Sequence, residues 1–308
     1  MSIKSWKRRG QWLELMPGKA VTGKEDRQAA AEQWLLSELK FPEKLLRQLK
    51  ATQGVQLAGD RLRLALFAVQ PLGVETRWAD LDVLYEDDFC LVVHKPAGMK
   101  LHPDGSREEQ VVTLDHAVAS YYEINGIETS VRHVHRLDED TTGPVLYAKN
   151  AFSLAKLDEA MRLKAIDRQY VAITGGQVPS DLRKIDAPIG KDRHHKQRRR
   201  VSEGGQDAIT HVDIVHAWER ATLVRLKLET GRTHQIRVHL SYAGYPLVGD
   251  KLYGGRSDII GRQALHGEVL RFNHPLTGAL IEVQDPWPAD FEQLATRESH
   301  SVERTDLI

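Results

Sequence analysis

The chain carries the stretch His135-Arg136-Leu137-Asp138-Glu139-Asp140-Thr141-Thr142-Gly143, followed directly by an apolar run from Pro144 to Lys149. Short polar residues that end in glycine are typical of a turn, and the apolar run is typical of a strand. The pattern therefore predicts a turn at the end of a sheet, with Asp138 held in it and Arg136 beside it. Such an aspartate can be aimed into a cleft, or it can simply accept hydrogen bonds from nearby backbone amides.

A second stretch, Thr230-Gly231-Arg232-Thr233-His234-Gln235-Ile236-Arg237-Val238-His239, supplies two arginines. We expect Thr233 to cap a helix that runs to about Ala243, with Arg237 one turn inside it. The Arg237 side chain then leans toward the helix N-terminus. Packed against Asp138, its charge would favour the ionised carboxylate that a nucleophile must be. The alternative for Arg232 and Arg237 is an ordinary surface salt bridge, which contributes little.

A tyrosine lies in the third informative segment, Arg168-Gln169-Tyr170-Val171, which is predicted to be a strand. Tyr170 could stack on a base or move a proton with its hydroxyl. A lone tyrosine in such a strand is more often a core residue with its hydroxyl at the edge.

The bulk composition is that of an ordinary globular protein, with 308 residues, 41% hydrophobic and 28% charged. No stretch approaches the roughly 20 apolar residues that a membrane span needs, and the basic N-terminus leads into no apolar segment of a secretory signal. Cys90 is the single cysteine, so no intrachain disulfide is possible. We therefore expect a cytoplasmic protein that does not associate with membranes.

The formal net charge is zero, which argues against a protein that coats nucleic acid nonspecifically. The region from Arg183 to Arg200 is nevertheless basic, with eight lysines and arginines against Asp186 and Asp192. A neutral protein with one basic face can grip a phosphate backbone. A solvated loop would account for the same run.

The 14 histidines do not indicate a metal site. His234 and His239 are five positions apart, so on a helix they point about 140° from each other. His133 and His135 would share a strand face, but no third ligand has a suitable spacing. The chain also lacks a P-loop, a dinucleotide fingerprint and a G-x-S-x-G elbow. We therefore expect neither a metal nor a cofactor.

Two units are expected along the chain, residues 1–75 and 76–308. The first contains a predicted helix from Asp26 to Lys40, a second helix opened by Phe41-Pro42-Glu43 with Pro42 in its first turn, and a hairpin over 55–66. It resembles a divergent copy of the small RNA-binding domain shared with ribosomal small-subunit protein four, with Lys44, Arg47 and Lys50 on one helix face. A plain helical cap on the second unit explains the pattern as well.

The second unit mixes strands and helices without regular βαβ order, which predicts an α+β fold around a large mixed sheet with flanking helices. Strands are expected near residues 83–85, 89–93, 144–149, 168–174, 224–228, 269–272 and 280–283. Helices are expected over residues 113–122, 151–163 and 233–243.

Five blocks in this unit, between Leu81 and Trp287, resemble the RluA-type pseudouridine synthases, which isomerise uridine in structured RNA. They are HKPAGM with His102-Pro103, HRLDEDTTGPVLYAK, Arg168-Gln169-Tyr170, LETGRTHQIRVHLSYAGYPLVGDKLYG, and Leu265-His266 followed by Phe272, His274 and Pro275. Five blocks in order are far more specific than any one alone. Departures are small: His94 stands where Asn is usual, and Gly267 where Ala is common.

The resemblance implies a role for each matching residue. Asp138 resembles the catalytic aspartate, Tyr170 the tyrosine near the target base, and Arg237 the partner of the aspartate. Arg136 resembles the arginine that enters the RNA where the uridine leaves, and Leu265 a leucine lining the uracil pocket. Two further residues of the same motifs are expected to bind substrate: Arg232 and His135.

The implied reaction begins with a uridine flipped from its stack. Asp138 attacks C1′ of the sugar or assists cleavage of the glycosidic bond in another way, and uracil rotates and rejoins through C5. Because this is an isomerisation, it needs no redox cofactor, ATP or metal. The protein is expected to act as a monomer on RNA, with large-subunit rRNA favoured by the N-terminal unit and tRNA as the alternative.

Two other functions fit the composition less well. A catalytically inactive RNA-binding protein of the same fold should have lost Asp138 or Arg237, and both are present. A hydrolase using Asp and His would need a water-activating group, and the sequence offers no candidate for one.

Overall fold

The structure of the protein is a computed structural model that describes residues 5–103, 111–256 and 260–300. Its first part contains four strands and three helices. In chain order these are β1 (Trp6–Arg9), β2 (Trp12–Leu15), α1 (Lys19–Thr22), α2 (Arg27–Ser37), α3 (Glu43–Ala51), β3 (Val55–Ala58) and β4 (Arg61–Leu64). Residues 65–82, all within the described part, contain neither helix nor strand before the next element begins.

The first four strands form one antiparallel sheet in the order β1-β2-β4-β3. Leucines alternate along β2 and β4 and are fully buried, so one face of this sheet covers a core. The predicted hairpin and both long helices are confirmed, but β1 and β2, with four residues each, were not predicted. Pro42 is the N-cap of α3 rather than a residue of its first turn.

The buried residues of the first unit form one hydrophobic cluster with residues of the second. The ring of Phe41 stacks on that of Phe152 with centroids 5.0 Å apart, and Trp6 and Phe67 make edge contacts to Phe89 at 5.2 and 5.5 Å. Phe89 and Phe152 belong to the second unit and are fully buried. The contacts favour a cap that shares its core with the rest of the chain over a self-contained domain.

The second part contains the remaining eleven strands and four helices. They are β5 (Val83–Glu86), β6 (Cys90–Lys95), α4 (Leu114–Ile124), β7 (Gly143–Ala148), α5 (Ala151–Arg162), β8 (Asp167–Gly175), β9 (Lys184–Asp186), β10 (Ile189–Lys191), β11 (Arg199–Val201), β12 (Ile209–Ala217), β13 (Ala221–Leu228), α6 (Gln235–Tyr242), β14 (Leu265–Asn273), β15 (Leu280–Gln284) and α7 (Ala289–His300). Every strand and helix predicted for this part is observed. The short strands β9 to β11, the strand β12 and the helix α7 were not predicted.

Two antiparallel sheets and a separate hairpin make up this part. The larger sheet has the order β15-β14-β8-β13-β12-β9, the smaller has the order β5-β6-β7, and β10 pairs with β11 alone. A parallel bridge between Thr142 and His266 links the start of β7 to β14. The predicted α+β class is confirmed, but the strand pairs within the described sheets are antiparallel, so the expected mixed sheet is not observed.

The two sheets approach each other most closely at a pair of glycines. Gly143 has a φ of +139°, and a Cβ atom placed on it would lie 2.7 Å from the backbone of Gly267. The amide of Gly267 donates a hydrogen bond to the Thr142 carbonyl at 2.8 Å. Only glycine fits position 143, so the end of the Asp138 turn and β14 come into direct backbone contact.

No helix in the described part of the chain is long and apolar enough to cross a membrane.

We expect Phe41→Ala to lower the free energy of unfolding of the full chain by about 3–5 kcal/mol, because it removes a buried ring from a shared core. Phe41 is 3% exposed and stacks on Phe152 across the two units. Urea unfolding measures the change. The control is Lys44→Ala on the exposed side of α3, which should change stability by less than about 0.5 kcal/mol.

The same contacts predict that deleting residues 1–75 leaves an aggregating or strongly destabilised protein, since apolar surface is uncovered. A soluble truncated monomer with the melting temperature of the full chain would show instead that the two units fold independently.

Candidate active site

Asp138 occupies a turn whose ends are fixed from both sides. Its carbonyl accepts the amide of Thr141 at 3.1 Å, and its side chain is 19% exposed. The carboxylate lies between a cleft of about 500 Å³ and a smaller cavity of about 100 Å³, and it lines both. Asp138 is therefore aimed into open space, as the first of the two sequence interpretations expected.

A buried lysine holds the turn from behind. Lys95, at the end of β6, is fully buried, and its ammonium donates to the carbonyls of Pro96 and Met99 at 2.8 Å and of Glu139 at 2.6 Å. Burial lowers the pKa of Lys95 to about 8, although the nearby acids, Asp140 foremost, act in the opposite direction. No role was predicted for Lys95, yet its ammonium ties Glu139, the residue after Asp138, to the end of β6.

Arg237 lies between two carboxylates. Its NH1 donates to Oδ2 of Asp138 at 3.3 Å, while Nε and NH2 donate to Oδ2 and Oδ1 of Asp250 at 2.7 and 3.0 Å. Burial acts against the charged form, but the hydrogen bonds that Arg237 donates to Asp250 and the charges of Asp250 and Asp138 raise the pKa of Arg237. The predicted contact with Asp138 is observed, and Asp250, 1% exposed, is a partner that sequence reasoning missed.

The start of α6 differs from the prediction. His234, not Thr233, is the N-cap, and it has a left-handed backbone with a φ of 58° and no side-chain cap bond. The loop is held instead by Gln235, whose Oε1 accepts the amide of Arg232 at 3.0 Å and the hydroxyl of Thr230 at 2.8 Å. Arg237 is consequently the third residue of the helix, within its first turn.

The small cavity has an apolar floor beside the ion pair. Tyr170 on β8 and Leu265 on β14 are 5% and 3% exposed and line the cavity together with Asp138. Burial raises the pKa of Tyr170, so its hydroxyl is protonated at neutral pH. Flat aromatic and aliphatic walls next to a carboxylate suit a planar base.

The other predicted substrate-binding residues lie in different positions. Arg136 is exposed and lines both spaces. Arg232 lines the small cavity, with its Nε on the Asp207 carbonyl at 2.9 Å. His135 is not among the described residues that line either space: it is buried, and its Nε2 accepts the amide of Leu146 at 3.3 Å.

His135 therefore supports the turn from β7 rather than reaching a ligand. Burial lowers its pKa to about 3, so the ring is neutral. We expected it to bind substrate because it adjoins Arg136 in the motif, but alternation along an extended chain sends neighbouring side chains to opposite sides.

The large cleft is bordered by the basic run. Lys196 lies in the loop of the β10–β11 hairpin and Arg199 begins β11, and both line the cleft together with Arg136 and Lys251. The backbone amide of Arg199 donates to the Tyr253 hydroxyl at 2.9 Å, which anchors this hairpin. The position of Lys196 and Arg199 beside the cleft favours a phosphate-binding role for the basic run over a purely solvated loop.

Comparison with known proteins gives a consistent assignment. The model of the RNA pseudouridylate synthase family matches residues 89–242, a range that contains Asp138, Tyr170 and Arg237. The uncharacterized RNA pseudouridine synthase YhcT of Bacillus subtilis is 46% identical over 238 residues, 77% of this chain and 78% of that protein. Ribosomal large subunit pseudouridine synthase D of Pseudomonas aeruginosa is 40% identical over 228 residues, 69% of this chain and 70% of that protein.

A solved structure agrees with these relatives. Human RNA Pseudouridylate Synthase Domain Containing 1 superposes with a TM-score of 0.56 at 27% identity, covering 68% of this chain and 84% of that one. Fold and site together define an enzyme with a carboxylate at the head of a basic cleft. The chain belongs to the RNA pseudouridylate synthase family and is of the RluA type.

Arg237→Met should abolish most of the activity and also lower the free energy of unfolding by about 3–5 kcal/mol, because it leaves Asp250 buried without a counterion. Adding Asp250→Asn should restore most of the stability but not the activity. Urea unfolding and single-turnover isomerisation separate the two effects. A double variant with the wild-type rate would mean that Arg237 has only a structural role.

Lys95 gives a pH-dependent prediction. It loses its proton near pH 8 in the folded protein but near its ordinary 10.5 when unfolded. Between these two pKa values Lys95 keeps its proton in the unfolded chain but not in the folded one. The free energy of unfolding should therefore rise with pH across this window, by up to about 3 kcal/mol. Urea unfolding at pH 7.5, 9 and 10.5 should show this rise in the wild type and lose it in Lys95→Met. Parallel pH dependences in the two proteins would contradict it.

Proposed function

We propose that this enzyme isomerises specific uridines to pseudouridine in large-subunit rRNA, with Asp138 as the nucleophile. One observation carries the assignment. The Asp138 carboxylate, held by Arg237 at 3.3 Å, lies at the mouth of a cavity floored by Tyr170 and Leu265.

The target uridine leaves the RNA stack and enters the small cavity. Arg136, exposed at the rim of both spaces, takes the place of the departed base. Tyr170 and Leu265 then lie against the faces of the uracil ring. The flanking strand follows the large cleft, whose wall carries Lys196 and Arg199 for phosphate contacts.

The chemistry exchanges one sugar–base bond for another. A carboxylate oxygen of Asp138 bonds to C1′ as the C1′–N1 bond breaks, and uracil leaves with the electron pair on N1. Uracil turns, C5 bonds to C1′, and the carboxylate leaves. The C5 proton is then lost and N1 gains one, with the Tyr170 hydroxyl in position to relay a proton at the base.

Two observations support rRNA as the substrate. The relative from Pseudomonas aeruginosa is named as acting on the ribosomal large subunit. The N-terminal unit also presents basic groups on two surfaces: Lys44 and Arg47 on α3, and three arginines around Glu14 on the outer face of its sheet. We propose that this unit binds RNA, and that the enzyme acts as a monomer in the cytoplasm.

The test is to map pseudouridines in rRNA and tRNA from cells that lack the protein, complemented with the wild type or with Asp138→Asn. We expect one or more rRNA sites to lose modification and to regain it with the wild type only. In single-turnover assays, Asp138→Asn should lower the rate on the order of 10⁴-fold or more with unchanged RNA affinity.

The matched control is Asp158→Asn, the same chemical change on the exposed side of α5, which should leave the rate unchanged. Sites lost from tRNA alone would replace rRNA as the substrate. More than a few percent of the wild-type rate in Asp138→Asn would remove Asp138 as nucleophile.

A further inference from the structure

His234 has a left-handed backbone conformation, which residues other than glycine adopt rarely. It begins α6 with a φ of 58° and a ψ of 20°, the left-handed region that suits glycine and asparagine better. Its side chain is 16% exposed and lines both the large cleft and the small cavity. The ring therefore stands where the two spaces meet, next to Asp138.

The protonation of this ring is set by a relay of hydrogen bonds. The amide of Arg199 donates to the Tyr253 hydroxyl at 2.9 Å, and this oxygen lies 2.8 Å from Nδ1 of His234. Burial raises the pKa of Tyr253, so the hydroxyl keeps its proton at neutral pH. In the described part of the chain, Nδ1 of His234 is the acceptor placed to receive that proton.

Nδ1 therefore carries no proton, and in the neutral ring the proton is on Nε2. Burial lowers the pKa of His234, although the charge of Asp138 acts in the opposite direction, so the ring is neutral at pH 7. The Nε2 donor faces Asp138, with Nε2 3.9 Å from Oδ2.

Arg237 approaches the same oxygen. Its NH1 is 3.3 Å from Oδ2, so both donors lie on one side of the carboxylate. The distance from His234 is longer than a hydrogen bond, as is common for catalytic groups before substrate binds. A small rotation of the Asp138 side chain would bring Oδ2 into reach of both donors.

We propose that His234 is a positioning residue whose Nε2–H donates to Oδ2 of Asp138 when uridine is bound, which leaves Oδ1 free to face C1′ of the sugar. The inference rests on the proposed role of Asp138 as nucleophile. Tyr253 and the basic hairpin act through His234, because they fix which of its nitrogens carries the proton.

The test compares two replacements of similar polarity. His234→Asn suits the left-handed backbone, but its amide is too short to reach Asp138. His234→Gln carries a donor at about the position of Nε2. We expect His234→Asn to lower the single-turnover rate at saturating RNA on the order of 10²-fold, without weaker RNA binding. His234→Gln should recover at least tenfold of this loss.

Tyr253→Phe tests the relay while keeping the ring that packs against Arg237. We expect a smaller loss of rate, and the double variant with His234→Asn should be no slower than His234→Asn alone, because the two changes break one path. Melting temperatures within a few degrees of the wild type would show that each variant is folded.

Three outcomes would overturn the proposal: a wild-type rate in His234→Asn, a loss confined to RNA affinity, or independent losses from the Tyr253 and His234 changes. Asp138→Asn is run in the same assay. If it is active, the nucleophile assignment fails. If it is inactive while His234→Asn reacts normally, only the role of His234 fails.

Discussion

The buried guanidinium of Arg237 sets the geometry of the active site. Arg237 is shared by two carboxylates but not evenly: Asp250 binds it with both oxygens at 2.7 and 3.0 Å, whereas Asp138 takes one bond of 3.3 Å. Asp250 therefore satisfies most of the cation and fixes its position. Asp138 receives a single charge-assisted hydrogen bond from Arg237, and its second oxygen is left for chemistry. A symmetric pair would hold both carboxylates equally and leave neither available.

The other side of Asp138 depends on how the two sheets meet. The Lys95 ammonium ties the Glu139 carbonyl to the end of β6, and the Gly267 amide ties the Thr142 carbonyl to β14. The His266 ring reinforces this junction, since its Nε2 donates to the Asp285 carbonyl and its Nδ1 accepts from the Thr142 hydroxyl. Because the turn is held by both sheets, its position follows from their packing rather than from its own sequence.

This dependence explains what sequence could and could not predict. Alternation and dense motifs were sufficient for most of the longer strands, though not for β12, and for α2 to α6 and the Asp138–Arg237 contact. Asp250 and Lys95 lie inside quoted motifs but were missed, because nothing in the residue pattern shows that Asp250 meets Arg237 or that Lys95 reaches the Glu139 carbonyl. Thr233 was expected as the cap on statistical grounds, but the Gln235 amide that such a cap could serve donates to the Arg232 carbonyl at 3.1 Å, and the helix begins one residue later. The strands β9 to β11 have only three residues each, too few for a pattern to be recognised.

A net charge of zero is compatible with an RNA substrate because the charges of the cleft are sorted. Among the described residues, Lys196 and Arg199 line the large cleft but not the small cavity, whereas Asp138 lines both. On the proposed function, phosphates are attracted to the wall but repelled from the carboxylates. In the same proposal, a base that leaves the stack brings C1′ of its sugar to Asp138 while the phosphates on either side stay near Lys196 and Arg199. The hairpin side of the cleft would then serve the RNA backbone and the small cavity the flipped base, a division that uniform positive charge could not supply.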